Sequence, residues 1–176
     1  MPSSITYERV AHLIDPECVE AVNVLGPTIQ FLTSPEETSA PCIMRGTIPP
    51  AVSIPLHSHA DPETFVLISG EVEGLVITGD GSSWVPIDPG EIFHVPPNVK
   101  HAWKNQGRLP AVMIVISTSK MGRFFQELGK PAAPGAPPSP PSPQEVQRFL
   151  ETADRYGYWN ATPEENARVG LSVGQP

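Results

Sequence analysis

A chain of 176 residues has the length for one domain around an enclosed core, and its 39% hydrophobic and 17% charged content lies outside the composition of a disordered chain, while 23 prolines exclude an all-helical fold. Eleven basic residues against 19 acidic ones give a net charge of −8, and no basic stripe is present to neutralise phosphates, so nucleic acid is not expected as a partner. The opening residues Met1 to Arg9 lack a cationic flank followed by an apolar run, and no apolar stretch of about 18 residues follows, so the sequence reads as cytoplasmic and without a membrane partner.

In chain order, Cys18 and Cys42 share no CxxC spacing and read as two separate thiols. The residues ahead of Gly26-Pro27 fit helix or strand equally, and 28–32 predicts an N-terminal strand. From Pro41 to about Ser117 short β-like runs follow one another at 42–48, 52–56, 64–69, 72–78, 84–87, 91–95, 101–104 and 112–117, separated by turn residues such as Pro49-Pro50, Gly79-Asp80-Gly81 and Asp88-Pro89-Gly90. Strands so closely and evenly spaced predict an all-β sandwich or barrel.

The period then changes. Met121, Phe124, Phe125 and Leu128 fall at helical spacing, with Gly129 and Pro131 beyond them as stop signals. Residues 131–143 hold seven prolines, a linker that in polyproline geometry of ~3.1 Å per residue spans roughly 40 Å. Two capping signatures follow, Ser142-Pro143-Gln144-Glu145 and Thr162-Pro163-Glu164-Glu165, each with a hydroxyl cap, a proline at the first helical position and a glutamate three residues after the cap. The first opens a helix whose stripe of Val146, Phe149, Leu150, Ala153 and Tyr156 needs an apolar surface to receive it. The expected organisation is a barrel with one helix over 1–130, the linker over 131–143, and a helical tail over 144–176 that docks on a barrel.

Candidate chemistry is concentrated in Pro55-Leu56-His57-Ser58-His59-Ala60-Asp61-Pro62-Glu63. Histidines at i and i+2 of a strand point to one side of the sheet, and the tight connection Ala60-Asp61-Pro62 lets Glu63 open the neighbouring strand on that same side. His101, which follows the turn at Pro96-Pro97, is a fourth candidate that a barrel can bring inward. Imidazole and carboxylate without cysteine suit hard or borderline divalent ions rather than a structural zinc site.

These residues resemble the two motifs of the cupin superfamily. His57, His59, Glu63 and Gly70 stand at the spacings of the first motif, and Gly90, Pro96, His101 and Asn105 at those of the second. Ala51 and Asn98 occupy positions where the motifs have glycine; Asn tolerates a left-handed backbone, and Ala51 bears on a strand bend. The resemblance covers 41–117 and implies a double-stranded β-helix, or jelly-roll barrel. It also implies that His57, His59, Glu63 and His101 bind one divalent metal ion, iron or manganese ahead of nickel or zinc. Likeness to small single-domain bacterial cupins of the quercetin-dioxygenase type implies a metal-dependent dioxygenase acting on a small aromatic or enolisable molecule. A non-redox isomerase, lyase or decarboxylase, and a small-molecule-binding cupin without turnover, remain open.

Around these ligands, Trp103 shares the face of His101, and Phe65 and Leu67 share that of Glu63, which makes all three core residues and candidate pocket walls. His94 and Arg45 read as structural or surface residues, and Asn105 as a turn residue. The run 65–68 is apolar on both faces, and only one face can look into a barrel, so a homodimer is expected.

Overall fold

The computed structural model describes residues 10–132 and 140–172. The opening nine residues, most of the proline-rich stretch (133–139) and the last four residues lie outside the described residues, and with them the reading of the N-terminus and of the linker's reach.

A 3-10 turn at Pro16–Cys18, capped by Asp15, leads into β1 (Ala21–Asn23) and β2 (Thr28–Phe31). The barrel strands are β3 (Cys42–Ile48), β4 (Ser53–Ser58), β5 (Glu63–Ser69) and β6 (Val72–Thr78), then β7 (Gly81–Ile87), β8 (Ile92–Val95), β9 (His101–Lys104) and β10 (Ala111–Ser117). After them come α1 (Ser119–Leu128), β11 (Lys130–Pro131), α2 (Pro143–Tyr156), β12 (Trp159–Asn160) and α3 (Pro163–Arg168). The strands form two antiparallel sheets, ordered β11-β1-β2-β3-β10-β5-β8 and β12-β4-β9-β6-β7. This is an all-β double-stranded β-helix, a jelly roll, with short C-terminal helices.

Side-chain alternation drives the closure. Along β3 and β10 every second residue is buried, so Met44, Ile48, Met113 and Val115 face across to the opposite sheet. There they meet Val72, Ile87 and Trp103, and with Leu67 of their own sheet they form one apolar cluster.

The structure corrects several boundaries. The strand expected at 84–87 starts at Gly81, because β6 and β7 form a hairpin whose pairing continues to Thr78 and Gly81. The ambiguous stretch before Gly26 contains the 3-10 turn and β1. Pro131, expected as the first residue of the linker, pairs with Val22, as Lys130 does with Asn23, at a sheet edge where a residue without an N–H is tolerated.

Thr118 caps α1 by accepting from Met121 N, and the helix buries Met121, Phe124 and Leu128. Both predicted capping boxes form, and α2 ends at Gly157 in the left-handed conformation. The helix packs on α1 through Phe149 and Tyr156, whose rings lie 5.7 and 5.3 Å from that of Phe124. The expected stripe is only partly covered: Val146 and Leu150 remain 38% and 45% exposed. Packing against α1 and β12 covers a narrow line that includes Ala153 of the stripe and buries Thr152 beside it. Beyond α2 the chain turns onto the five-stranded sheet, where β12 pairs with β4 and Leu171 joins Leu56, Leu75 and Ala102. Among the described residues no helix is long and apolar enough to cross a membrane.

Candidate metal centre

The four candidate ligands converge. His57 and His59 come from β4 and the turn after it, Glu63 opens β5, and His101 opens β9. One ligand atom from each lies within 4.8 Å of the others. His59, Glu63 and His101 are 4%, 4% and 1% exposed, whereas His57 is half-buried, so the cluster meets solvent on the His57 side.

An irregularity in β4 aims the histidines. Ile54 pairs with Trp103 and His57 with His101, so three residues of β4 advance against two of β9. The extra residue is a β-bulge around Pro55, a residue sheets accept at bulges. Ile54 before it packs on the main core, and Leu56 within it turns to the outer cluster with Leu75 and Leu171. With unbroken alternation His57 and His59 would share a face opposite to that of Ile54; the bulge restores them to the interior.

Each imidazole is held by a backbone carbonyl. Nδ1 of His57, His59 and His101 lies 2.7, 2.8 and 2.9 Å from the carbonyl oxygens of Pro55, Asp61 and Val99. A carbonyl only accepts, so each Nδ1 carries the proton and each Nε2 faces the cluster. Nε2 of His101 lies 3.2 Å from Glu63 Oε2. Nε2 of His59 lies 3.3 Å from the same oxygen in an orientation that makes no hydrogen bond, which leaves a buried nitrogen unsatisfied. An unpaired buried nitrogen costs about 1–3 kcal/mol, and a cation among these atoms would remove that cost. The donors fit a divalent ion that accepts nitrogen and oxygen.

The electrostatics agree. Burial, and then the charge of His101, push the His57 imidazole down to about 3, so it is neutral and free to donate a lone pair. Burial works to raise the Glu63 carboxyl, but the imidazoles of His101 first, and then His59, beside it outweigh that and hold the group down to about 2. Burial opposes a charge on His59, and the adjacent Glu63 carboxylate reverses it, raising that imidazole above its ordinary value.

The expected pocket walls are in place as packed core. Phe65, Leu67 and Trp103 are 8%, 2% and 1% exposed, and the Phe65 and Trp103 rings lie 4.4 Å apart beneath the cluster. Clefts elsewhere, one lined by Asn23, Leu128, Lys130 and Phe149, do not include the histidines. His94 lies outside the cluster, bonded through Nδ1 to Thr64 Oγ1, and Arg45 pairs with Glu17 at 3.1 Å. Asn105 serves backbone groups: its Nδ2 donates to Ile48 O and Leu109 O, and its Oδ1 accepts from Gly107 N. Asn98 has φ +63 and donates its N–H to His59 O at 2.7 Å, so this left-handed turn supports a ligand directly. Ala51, read as bearing on a strand bend, instead holds a left-handed turn with φ +60.

Sequence reasoning did not name the polar contacts behind His59. Asp61, 5% exposed, accepts from Tyr158 Oη at 2.8 Å and from Thr118 Oγ1. Tyr158 follows α2, and no local pattern links it to a turn 97 residues earlier.

Fold and site together define a jelly-roll barrel with a three-histidine, one-carboxylate cluster that can hold a metal ion. Residues 44–117, less than half of the chain, match the family described as "Cupin domain". Solved structures agree on the fold. A predicted oxalate decarboxylase from Thermotoga maritima is 20% identical with a TM-score of 0.52, the match covering 61% of this chain and 98% of that one. The polyketide cyclase RemF from Streptomyces resistomycificus is 19% identical with a TM-score of 0.53, covering 62% and 80%. An uncharacterized conserved protein with a double-stranded beta-helix domain from Klebsiella pneumoniae is 18% identical with a TM-score of 0.51, covering 62% and 91%. Comparison with curated proteins gave no match. Over 44–117 the chain is similar to that family, and these structures share its fold.

Proposed function

We propose that the protein is a single-metal cupin enzyme, a dioxygenase acting on a small aromatic or enolisable molecule, with His57, His59, Glu63 and His101 as the ligands. The observation that carries this reading is the convergence of the Nε2 atoms of His59 and His101 on one buried carboxylate oxygen, with a ligand atom of His57 within 4.8 Å and all three imidazoles held at Nδ1 by a carbonyl. A divalent ion bound there would supply a Lewis acid and open positions for substrate oxygens and O2.

The chain's own groups support small-molecule chemistry on the His57 side. His57 is the ligand that solvent reaches, so substrate approaches there, while Phe65 and Trp103 close the interior and exclude water from below. Asp61 and Tyr158 bond to each other and are engaged, so substrate recognition falls to the ligand cluster and its rim.

Elemental analysis of the purified protein should find about one divalent ion per chain. His59→Ala or Glu63→Ala should lower affinity by at least about 100-fold with the barrel's circular dichroism intact. An oxygen electrode screen of phenols, flavonoids and enolisable acids should show uptake with turnover. Absence of stoichiometric metal overturns the site; turnover without oxygen overturns the dioxygenase and leaves non-redox Lewis-acid chemistry.

A further inference from the structure

Asp61 is a nearly buried acid in the turn between two candidate ligands. Its backbone carbonyl accepts the Nδ1–H of His59 at 2.8 Å. Its carboxylate accepts from two hydroxyls, Tyr158 Oη at 2.8 Å and Thr118 Oγ1. The next peptide is fixed as well, since Ser117 Oγ donates to Pro62 O at 2.9 Å. The Tyr158 ring lies 5.2 Å from the His59 ring, so this one side chain packs on the imidazole and also grips the turn that orients it. Directly after it, Trp159 and Asn160 pair with Ser58 and His57, tying the tail to the backbone of a second ligand. Thr118 and the whole tail lie outside the matched span 44–117.

We infer that the C-terminal segment is a built-in positioning element for the metal centre, in which Tyr158, acting through Asp61, sets the position and orientation of His59 toward the ion. The inference rests on the metal-binding reading above. Its physical basis is that a ligand imidazole is oriented by whatever holds its other nitrogen, and that such outer partners alter metal affinity by about 10–100-fold. A carboxylate at 5% exposure is costly to bury and keeps its place here through both hydroxyl donors. Removing the Tyr158 hydroxyl leaves one of them. The turn then relaxes and His59 Nε2 loses its fixed aim, while Glu63 and His101, which the tail does not hold, keep theirs. Tyr158 and Asp61 are positioning residues and need not touch substrate.

Cobalt(II) is a suitable probe, because its visible absorption reports the ligand field and its titration reports affinity without any turnover. The full chain should be compared with Tyr158→Phe, Asp61→Asn and Tyr156→Phe below the melting temperature of each. Tyr156 donates to Glu127 on α1 at 3.2 Å and controls for a general loosening of the tail. Tyr158→Phe and Asp61→Asn should bind cobalt about 10–100-fold more weakly with shifted bands, and Tyr156→Phe should match the unsubstituted protein. Wild-type affinity and bands in Tyr158→Phe overturn the inference and leave the metal site standing; this variant decides alone if Asp61→Asn does not fold. Equal weakening in Tyr156→Phe also overturns it, since any loosening of the tail would then suffice. If the unsubstituted chain takes up no cobalt, the metal-binding reading fails and takes this inference with it.

Discussion

Ala51 and Asn98 both lie in the left-handed region, with φ +60 and +63, yet they bear it differently. Asn adopts this conformation with little strain, because its polar side chain can hydrogen-bond locally, whereas the Cβ methyl of Ala comes too close to the following carbonyl oxygen and costs roughly 1–2 kcal/mol there. Ala51→Gly removes that strain and loses about 0.5–1 kcal/mol to the greater freedom of the unfolded chain, so a net gain of about 0.5–1 kcal/mol is expected in urea unfolding. Gly70 is the converse case. Its φ is +85, and a Cβ would stand 2.3 Å from Pro110 O, so Gly70→Ala should destabilise the barrel by about 2–4 kcal/mol. A neutral Gly70→Ala result would mean that the turn into β6 is not packed as described.

At the scale of elements, α2 depends on its first turn. Glu145 accepts from Lys130 Nζ at 2.7 Å and closes the capping box with Ser142. Lys130 first, and then Ser142, draw its carboxyl from 4.5 down to about 2. Because the folded value is the lower one, the stabilisation is complete above the ordinary carboxyl range and is lost as pH falls from about 4.5 toward about 2. Helical circular dichroism should therefore decline over that window, and Glu145→Gln should remove this part of the decline. An unchanged acid profile in Glu145→Gln would rule out the linkage. These caps were legible in the sequence because a capping box spans four residues, and the barrel strands were legible because alternation is equally local. The bulge was not: Pro55 hinted at it, but its effect on His57 needs the register against β9. The grip on Asp61 was hidden by sequence distance, and the bare side of α2 by the tail's choice of a single partner helix. The four ligands themselves were readable, since their spacing matches both motifs.

On the scale of the whole molecule, one surface lacks a cover. Across the larger sheet Arg45, Ile114, Val66 and Ile92 form an outward row through direct pairing, and Ile68 and Ile92 are 52% and 66% exposed. Among the described residues neither α1 nor α2 covers Ile68 and Ile92, which stay exposed. A second copy of the chain is the expected occupant, as the two-sided apolar run of β5 suggests. Light scattering at micromolar concentration should give a dimer, and Ile68→Lys with Ile92→Lys should give a monomer of unchanged fold. A monomeric unsubstituted protein would sink this expectation.

The pairing of β12 with β4 also has a consequence in time. Asp61 and Tyr158 are 97 residues apart, so at about 5–20 residues per second some 5–20 s of synthesis separate them. The last barrel strand ends at Ser117, 41 residues before Tyr158, so for about 2–8 s of that interval a nascent barrel has β4 as a bare strand edge, with Leu56 uncovered by Leu171. Open edges of this kind recruit strands from neighbouring chains. The histidine-bearing strand is therefore a place where newly made copies can mispair until the tail arrives and occupies it, whereas β7 and β8 stay at sheet edges in the finished fold.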